Sequence, residues 1–218
     1  MLPLFQGQTK HHFPSLRRAW PNMVHPVAAN IILIRHAPSC GAGRLAGRLD
    51  IPAQLPEGEA LALARRRLTA LAGVPGRVVS SPARRCRESA AALCPGAAVM
   101  QDARLWEQDF GEWEGLESAS LPDLGPLSRE ETAAFRPPEG ESFLDLAARA
   151  GAALTEIAAA GPALIFAHAG TVRAGLGLAL GHAPLGLAFE VAPLSATLLR
   201  ALPDGQWSAG FVNLSLIA

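Results

Sequence analysis

Arg35 and His36 stand side by side at the end of a short apolar run, in the stretch NIILIRHAPSCG. A second histidine, His168, closes another apolar run, ALIFA. Ser80, Ser81, Arg84 and Arg85 follow a third run around Val78-Val79, and Glu107 follows a fourth after a short connection. These side chains suit phosphate chemistry. Guanidinium groups bring permanent charge and paired donors, and histidine brings a nitrogen that titrates near neutrality. A carboxyl group can pass a proton to a leaving oxygen. Ser81-Pro82 reads as a helix opening, with Ser81 at the N-cap and Pro82 at N1, so its first amides could join an anion site.

Such groups act together only if the fold gathers them. Residues 31–34, 78–79, 98–100, 163–167, 196–202 and 207–212 read as strands, and LPDGQW between the last two is a hairpin turn signal. Helical spacing runs through 58–71, with leucines at 61, 63, 68 and 71, and recurs in 84–93, 142–160 and 171–180. Ser142 with Asp145 forms a capping box, Gly161-Pro162 stops that helix, and Gly181 can end the last one. Alternating strands and helices predict βαβ units, hence a mainly parallel sheet with helices on both faces. Ligands in such sheets bind outside the carboxyl ends of the strands, where all the groups named above fall. Residues 116–141, rich in Ser, Pro and Glu, read as a surface excursion.

The chain has 218 residues, half of them apolar, which suits one α/β domain. With 19 basic and 19 acidic side chains, it suggests neither a nucleic-acid nor an anionic-membrane surface. Any phosphate must be held by local arginines. The three cysteines, Cys40, Cys86 and Cys94, have neither disulfide nor zinc spacing and read as reduced cytoplasmic thiols. No apolar stretch approaches the ~20 residues of a transmembrane helix, and no secretory h-region is evident. Residues 1–29 read as a loose tail before a domain over 30–218, and Met23 could equally be the start. The tail histidines His11, His12 and His25 do not suggest a metal site.

Taken in order, these segments resemble the histidine phosphatase superfamily, the phosphoglycerate-mutase-like proteins. LIRHA is similar to the family's Arg-His-Gly signature, SSPARRCRESA to its Ser-Pro-Leu-x-Arg-Ala segment, and LWEQDFGEWEG to its Leu-x-Glu-x-x-Phe-Gly-x-Trp-Glu-Gly segment. PPEGES resembles its helix start, and FAHAG its second-histidine segment. The likeness covers roughly residues 30 to 213. It implies a three-layer αβα sandwich around a mainly parallel sheet. It implies that His36 attacks phosphorus, that Arg35, Arg85 and His168 hold the phosphoryl oxygens, and that Glu107 protonates the leaving alcohol. The nearby arginines should keep His36 neutral. Neither metal nor cofactor is implied. The partner implied is a small phosphate ester, and the resemblance leaves room for a homodimer.

The chain departs from the pattern in three places. Ala42 stands where an Asn is common, so a phosphate contact is left to Ser39 or Arg48. Ala37 and Ala169 replace glycines and should take ordinary negative φ. Asp109, Glu112 and Glu114 are rivals to Glu107, while Arg173 and Glu141 read as structural. The resemblance implies a phosphomonoesterase, with α-ribazole phosphate as a candidate substrate. A phosphoglycerate mutase is the alternative within the family, and a non-catalytic phosphate-binding or interaction module the alternative outside it. The excursion carries only Arg129 and Arg136 as cations, too few to hold a bisphosphate intermediate, which favours hydrolysis.

Overall fold

A computed structural model describes residues 29–41, 43–73 and 76–217. The tail over residues 1–28 and Ala42 lie outside the described residues. Strands β1 (Ala29–Arg35), β2 (Val78–Ser80), β3 (Val99–Gln101), β4 (Ala163–Ala167), β5 (Ser195–Ala201) and β6 (Trp207–Ser215) form one sheet in the order β3-β2-β4-β1-β5-β6. β1 to β4 are mutually parallel, and β5 runs antiparallel to β1 and to β6. β1 begins at Ala29, the last residue assigned to the tail, which pairs with Ala201.

The unbroken apolar run of β1 reflects its place. It is paired on both edges and covered on both faces. Ile32 and Ile34 face the layer of α1 (Gly58–Ala72) and α2 (Arg84–Leu93). Ile31 and Leu33 face the layer of α4 (Phe143–Ala159) and α5 (Ala169–Leu180). The result is a three-layer αβα architecture.

Local chemistry fixes the helix ends. At α4 the Ser142 hydroxyl accepts from the Asp145 amide at 3.2 Å, and the Asp145 carboxylate accepts from the Ser142 amide at 2.8 Å. α5 stops at Gly181, whose φ of 71° is the left-handed conformation glycine tolerates. Two expectations need correction. Ser81 and Pro82 do not open α2. That helix starts at Arg84 with Ala83 at the N-cap, while the Ser81 hydroxyl accepts both from the Ala83 amide at 3.3 Å and from His168. The excursion also contains a short helix, α3 (Arg129–Ala134), with its own Ser128–Glu131 capping box. Six residues are too few to show a period, so the capping residues were its only sequence signal.

Candidate functional site

The parallel register sets the site. Arg35 lies opposite Ala167, and Ser80 opposite Phe166. The ladder runs one residue further, through His36 N–H to the Ala167 carbonyl at 3.0 Å and Ser81 N–H to the Phe166 carbonyl at 2.9 Å. His36, Ser81 and His168 therefore emerge together at one sheet edge. The two histidine rings meet edge to face, centroids 5.2 Å apart. Arg85, in the first turn of α2, reaches between them from below.

Hydrogen bonding assigns the tautomers. His36 Nδ1–H donates to the Ala37 carbonyl at 2.5 Å, which leaves Nε2 with a lone pair that accepts from Arg85 Nε at 3.3 Å. Arginine can only donate, so His168 Nδ1, 3.2 Å from Arg85 Nη2, also carries a lone pair. The proton of His168 is then on Nε2, which donates to Ser81 Oγ at 2.9 Å. Both rings are neutral. Burial first, and the charges of Arg85 and Arg35 next, push His36 down to about 3. The same causes, burial foremost, hold His168 well below its ordinary value.

Arg35 donates through Nη1 to the Val191 carbonyl at 2.5 Å, and its Nε is buried without a partner. Burial lowers its pKa, Glu107 opposes that shift, and Arg173 and Arg85 reinforce it, so all four charges share one neighbourhood. Glu107 accepts from the Gly170 amide at 3.2 Å and from the Gln108 amide at 3.1 Å. A Cβ at position 170 would lie 2.1 Å from Glu107 Oε1, so only glycine lets this carboxylate approach the start of α5. Trp106 lies nearly parallel to the His168 ring at 6.3 Å, and the Arg48 guanidinium sits 5.7 Å from the Trp106 ring.

The remaining residues sort themselves by contact. The Arg84 guanidinium turns outward to Glu88 while its backbone amide donates to Asp50, whereas Arg85 is 1 % exposed. Ser39 is bridged through its backbone to Ala53, and no contact described links its side chain to the histidines. Ala37 and Ala169 are absent from the residues with positive φ, and the Ala37 amide donates to Ser89 Oγ at 2.9 Å. Asp109 accepts from the Gly111 amide, and Glu114 is turned to the backbone of 47–49. Arg173 donates to the Phe189 carbonyl. No group of three or more side chains that could hold a metal ion occurs among the described residues.

One contributor takes a role the sequence did not show, and another is not evident from the sequence. Ser81 holds the proton of His168, although its position suggested a helix cap. Arg149 of α4 grips Glu141 through two 2.7 Å contacts and donates to the carbonyls of Arg104, Trp106 and Glu107. It ties down the segment that presents Glu107, while Glu141 anchors the Asp109 amide at 3.0 Å. Arg149 falls on a polar position of an amphipathic helix, and the only signal was its length and charge.

The family model of histidine phosphatase superfamily branch 1 matches residues 31–214. The chain belongs to that superfamily. It is 30 % identical over 205 residues to a glucosyl-3-phosphoglycerate phosphatase of Mycobacterium tuberculosis, covering 84 % of this chain and 80 % of that one. The solved mycobacterial glucosyl-3-phosphoglycerate phosphatase in complex with VO3 superposes with a TM-score of 0.73 at 28 % identity, covering 86 % of this chain and all of that one. The corresponding complex with inorganic phosphate gives 0.72 at 27 % identity, covering 88 % and 100 %. A phosphoserine phosphatase of Entamoeba histolytica shares the fold at 19 % identity and a TM-score of 0.69, over 85 % and 97 %. The protein is a phosphomonoesterase of the histidine phosphatase superfamily, a hydrolase of a phosphorylated metabolite. These relatives carry a substrate other than α-ribazole phosphate in their names.

Proposed function

We propose that the protein cleaves its phosphate ester through a phosphohistidine on His36. The observation that carries this reading is the pair of opposite tautomers bridged by Arg85. The Ala37 carbonyl holds the His36 proton on Nδ1, so the Nε2 lone pair faces the guanidinium that would draw a phosphoryl group to it. That lone pair attacks phosphorus as the ester P–O bond breaks. Arg85, Arg35 and His168 take up the charge on the phosphoryl oxygens. The protonated Glu107 carboxyl gives its proton to the leaving alkoxide. Water then attacks the phosphohistidine, Glu107 takes back a proton, and inorganic phosphate leaves a neutral His36.

Two supports bear on the substrate. The named relatives act on glucosyl-3-phosphoglycerate, so an acidic, glycosylated phosphate ester is the first candidate, ahead of α-ribazole phosphate. Arg173, close enough to lower the pKa of Arg35, adds a third cation for an acidic substrate. Both esters should be assayed against p-nitrophenyl phosphate in the presence of a chelator. Rapid quench of the reaction with 32P-labelled substrate into alkaline detergent should trap a base-stable phosphoenzyme that loses its label in acid. His36→Asn should abolish both the label and turnover. A labelled His36→Asn protein would show that phosphorus is attacked by another group.

A further inference from the structure

Arg85 is buried, yet no carboxylate lies within ion-pair distance of it among the described residues. A buried guanidinium without a counter-ion is costly unless other dipoles meet it. Here they are carbonyls of one loop. Nη1 donates to Leu49 at 2.7 Å, and Nη2 to Gly47 at 2.8 Å and Ala46 at 3.2 Å. The amides of the same loop point the other way, onto one carboxylate. Glu114 accepts from Arg48 at 2.8 Å, from Gly47 at 3.1 Å, from Leu49 at 3.2 Å and, within its own segment, from Phe110 at 3.1 Å. The peptide units 46–47 and 47–48 thus lie with their positive ends on Glu114 and their negative ends on Arg85, with the Leu49 amide and carbonyl adding one contact to each. The junction is tight. A Cβ at Gly47 would fall 1.8 Å from the Gln108 carbonyl and 2.6 Å from Glu114 Oε1.

We propose that Glu114 is a positioning residue for the phosphoryl group, acting through the 46–49 loop to orient Arg85 between His36 and His168. It touches neither histidine. Its carboxylate is the counter-charge of Arg85 at one remove, relayed by aligned peptide dipoles. The inference rests on the proposed function only in taking phosphate as the ligand.

The test is Glu114→Gln, which keeps size but turns a donor toward amides that need an acceptor. Displacing a positioned group by ~1 Å can cost about a hundredfold, and partners that orient a ligating group typically matter about 10- to 100-fold. A loss in that range is expected in kcat/KM, with a parallel loss in affinity for inorganic phosphate and vanadate. The dependence of rate on leaving-group acidity should stay that of wild type, because Glu107 is untouched. In an Arg85→Lys background, Glu114→Gln should add at most about twofold, within the scatter of independent pairs. Glu117→Gln, at an exposed ion pair with Arg44, is the control. Should Glu114→Gln not fold, Glu114→Asp keeps the charge on a shorter arm and should show the same coupling to Arg85. Unchanged phosphate affinity, or losses that simply multiply with Arg85→Lys, would overturn the proposal. Failure of wild type to bind phosphate or vanadate would instead overturn the proposed function.

Discussion

At Gly170 the start of α5 and the Glu107 carboxylate meet so closely that a methyl group would collide with Oε1. On the proposed mechanism the glycine is therefore part of the proton-transfer geometry. Glu107→Gln should cost ~10²- to 10⁴-fold on an alkyl phosphate, the usual range for general acid catalysis. It should cost far less on p-nitrophenyl phosphate, whose leaving group needs little protonation. Gly170→Ala should reproduce that selective loss, since it pushes the acid away without removing it. Steady-state kinetics on the two esters decide the matter, and equal losses on both would remove Glu107 from the donor role. At this scale the sequence was most legible where residue type and position at a strand end sufficed. Arg35, His36 and His168 are such cases, whereas only the family resemblance singled out Arg85 from its neighbour Arg84. It placed Ser81 at the right edge but not its contact with His168, and it was silent on Arg149, because these partners arrive only through tertiary packing. Ser39 was named, with Arg48, as a stand-in for the Asn contact missing at Ala42, and its backbone pairs with Ala53.

The elements were readable because each carries its own period and its own caps. β1 announces itself by a run that is apolar on both faces, and α4 by a capping box. The start of α2 was misplaced because Ser81 Oγ takes the Ala83 amide before the helix begins and also meets His168. The short α3 has too little length for a pattern. The elements also carry the second layer of the site. α4 holds Arg149, whose guanidinium bonds three carbonyls of 104–107 while paired with Glu141, both side chains 19 % exposed. Arg149→Lys keeps the charge but cannot span this array. What is lost is charge-assisted hydrogen bonding to the carbonyls, about 1.5–3 kcal/mol for such a bond, and partial exposure keeps the total at roughly 2 kcal/mol. The thermal midpoint should fall, and kcat should fall more than KM rises, because the loosened segment carries Glu107 and not the phosphate-holding arginines. A variant with a lower midpoint and unchanged kcat would confine Arg149 to stability.

Across the whole molecule, the sheet makes two histidines neutral by burying them among arginines, and this couples the site to global stability. The sign follows from the direction of the shift. The unfolded chain takes up a proton on His36 near its ordinary 6.5, while the folded chain resists protonation down to about 3. Above 6.5 neither state carries that proton, and the full stability is present. As pH falls from 6.5 toward 3, the unfolded state alone is protonated, and stability drains away. One such group costs about 1.4 kcal/mol per pH unit once the unfolded form is fully protonated, or about 2 kcal/mol between pH 7 and pH 5. His168, also held below its ordinary value, acts in the same direction. Carboxylates titrate in the lower half of this window too, so the total acid sensitivity does not isolate the histidines. The difference between proteins does. His36→Gln and His168→Gln remove one titrating group each and should lose less stability between pH 7 and pH 5 than wild type, whatever their midpoints at pH 7. Urea denaturation at both pH values measures it. A variant that loses as much stability as wild type over that interval would mean that its histidine is already protonated in the fold. For His36 that would also remove the lone pair on which attack at phosphorus depends.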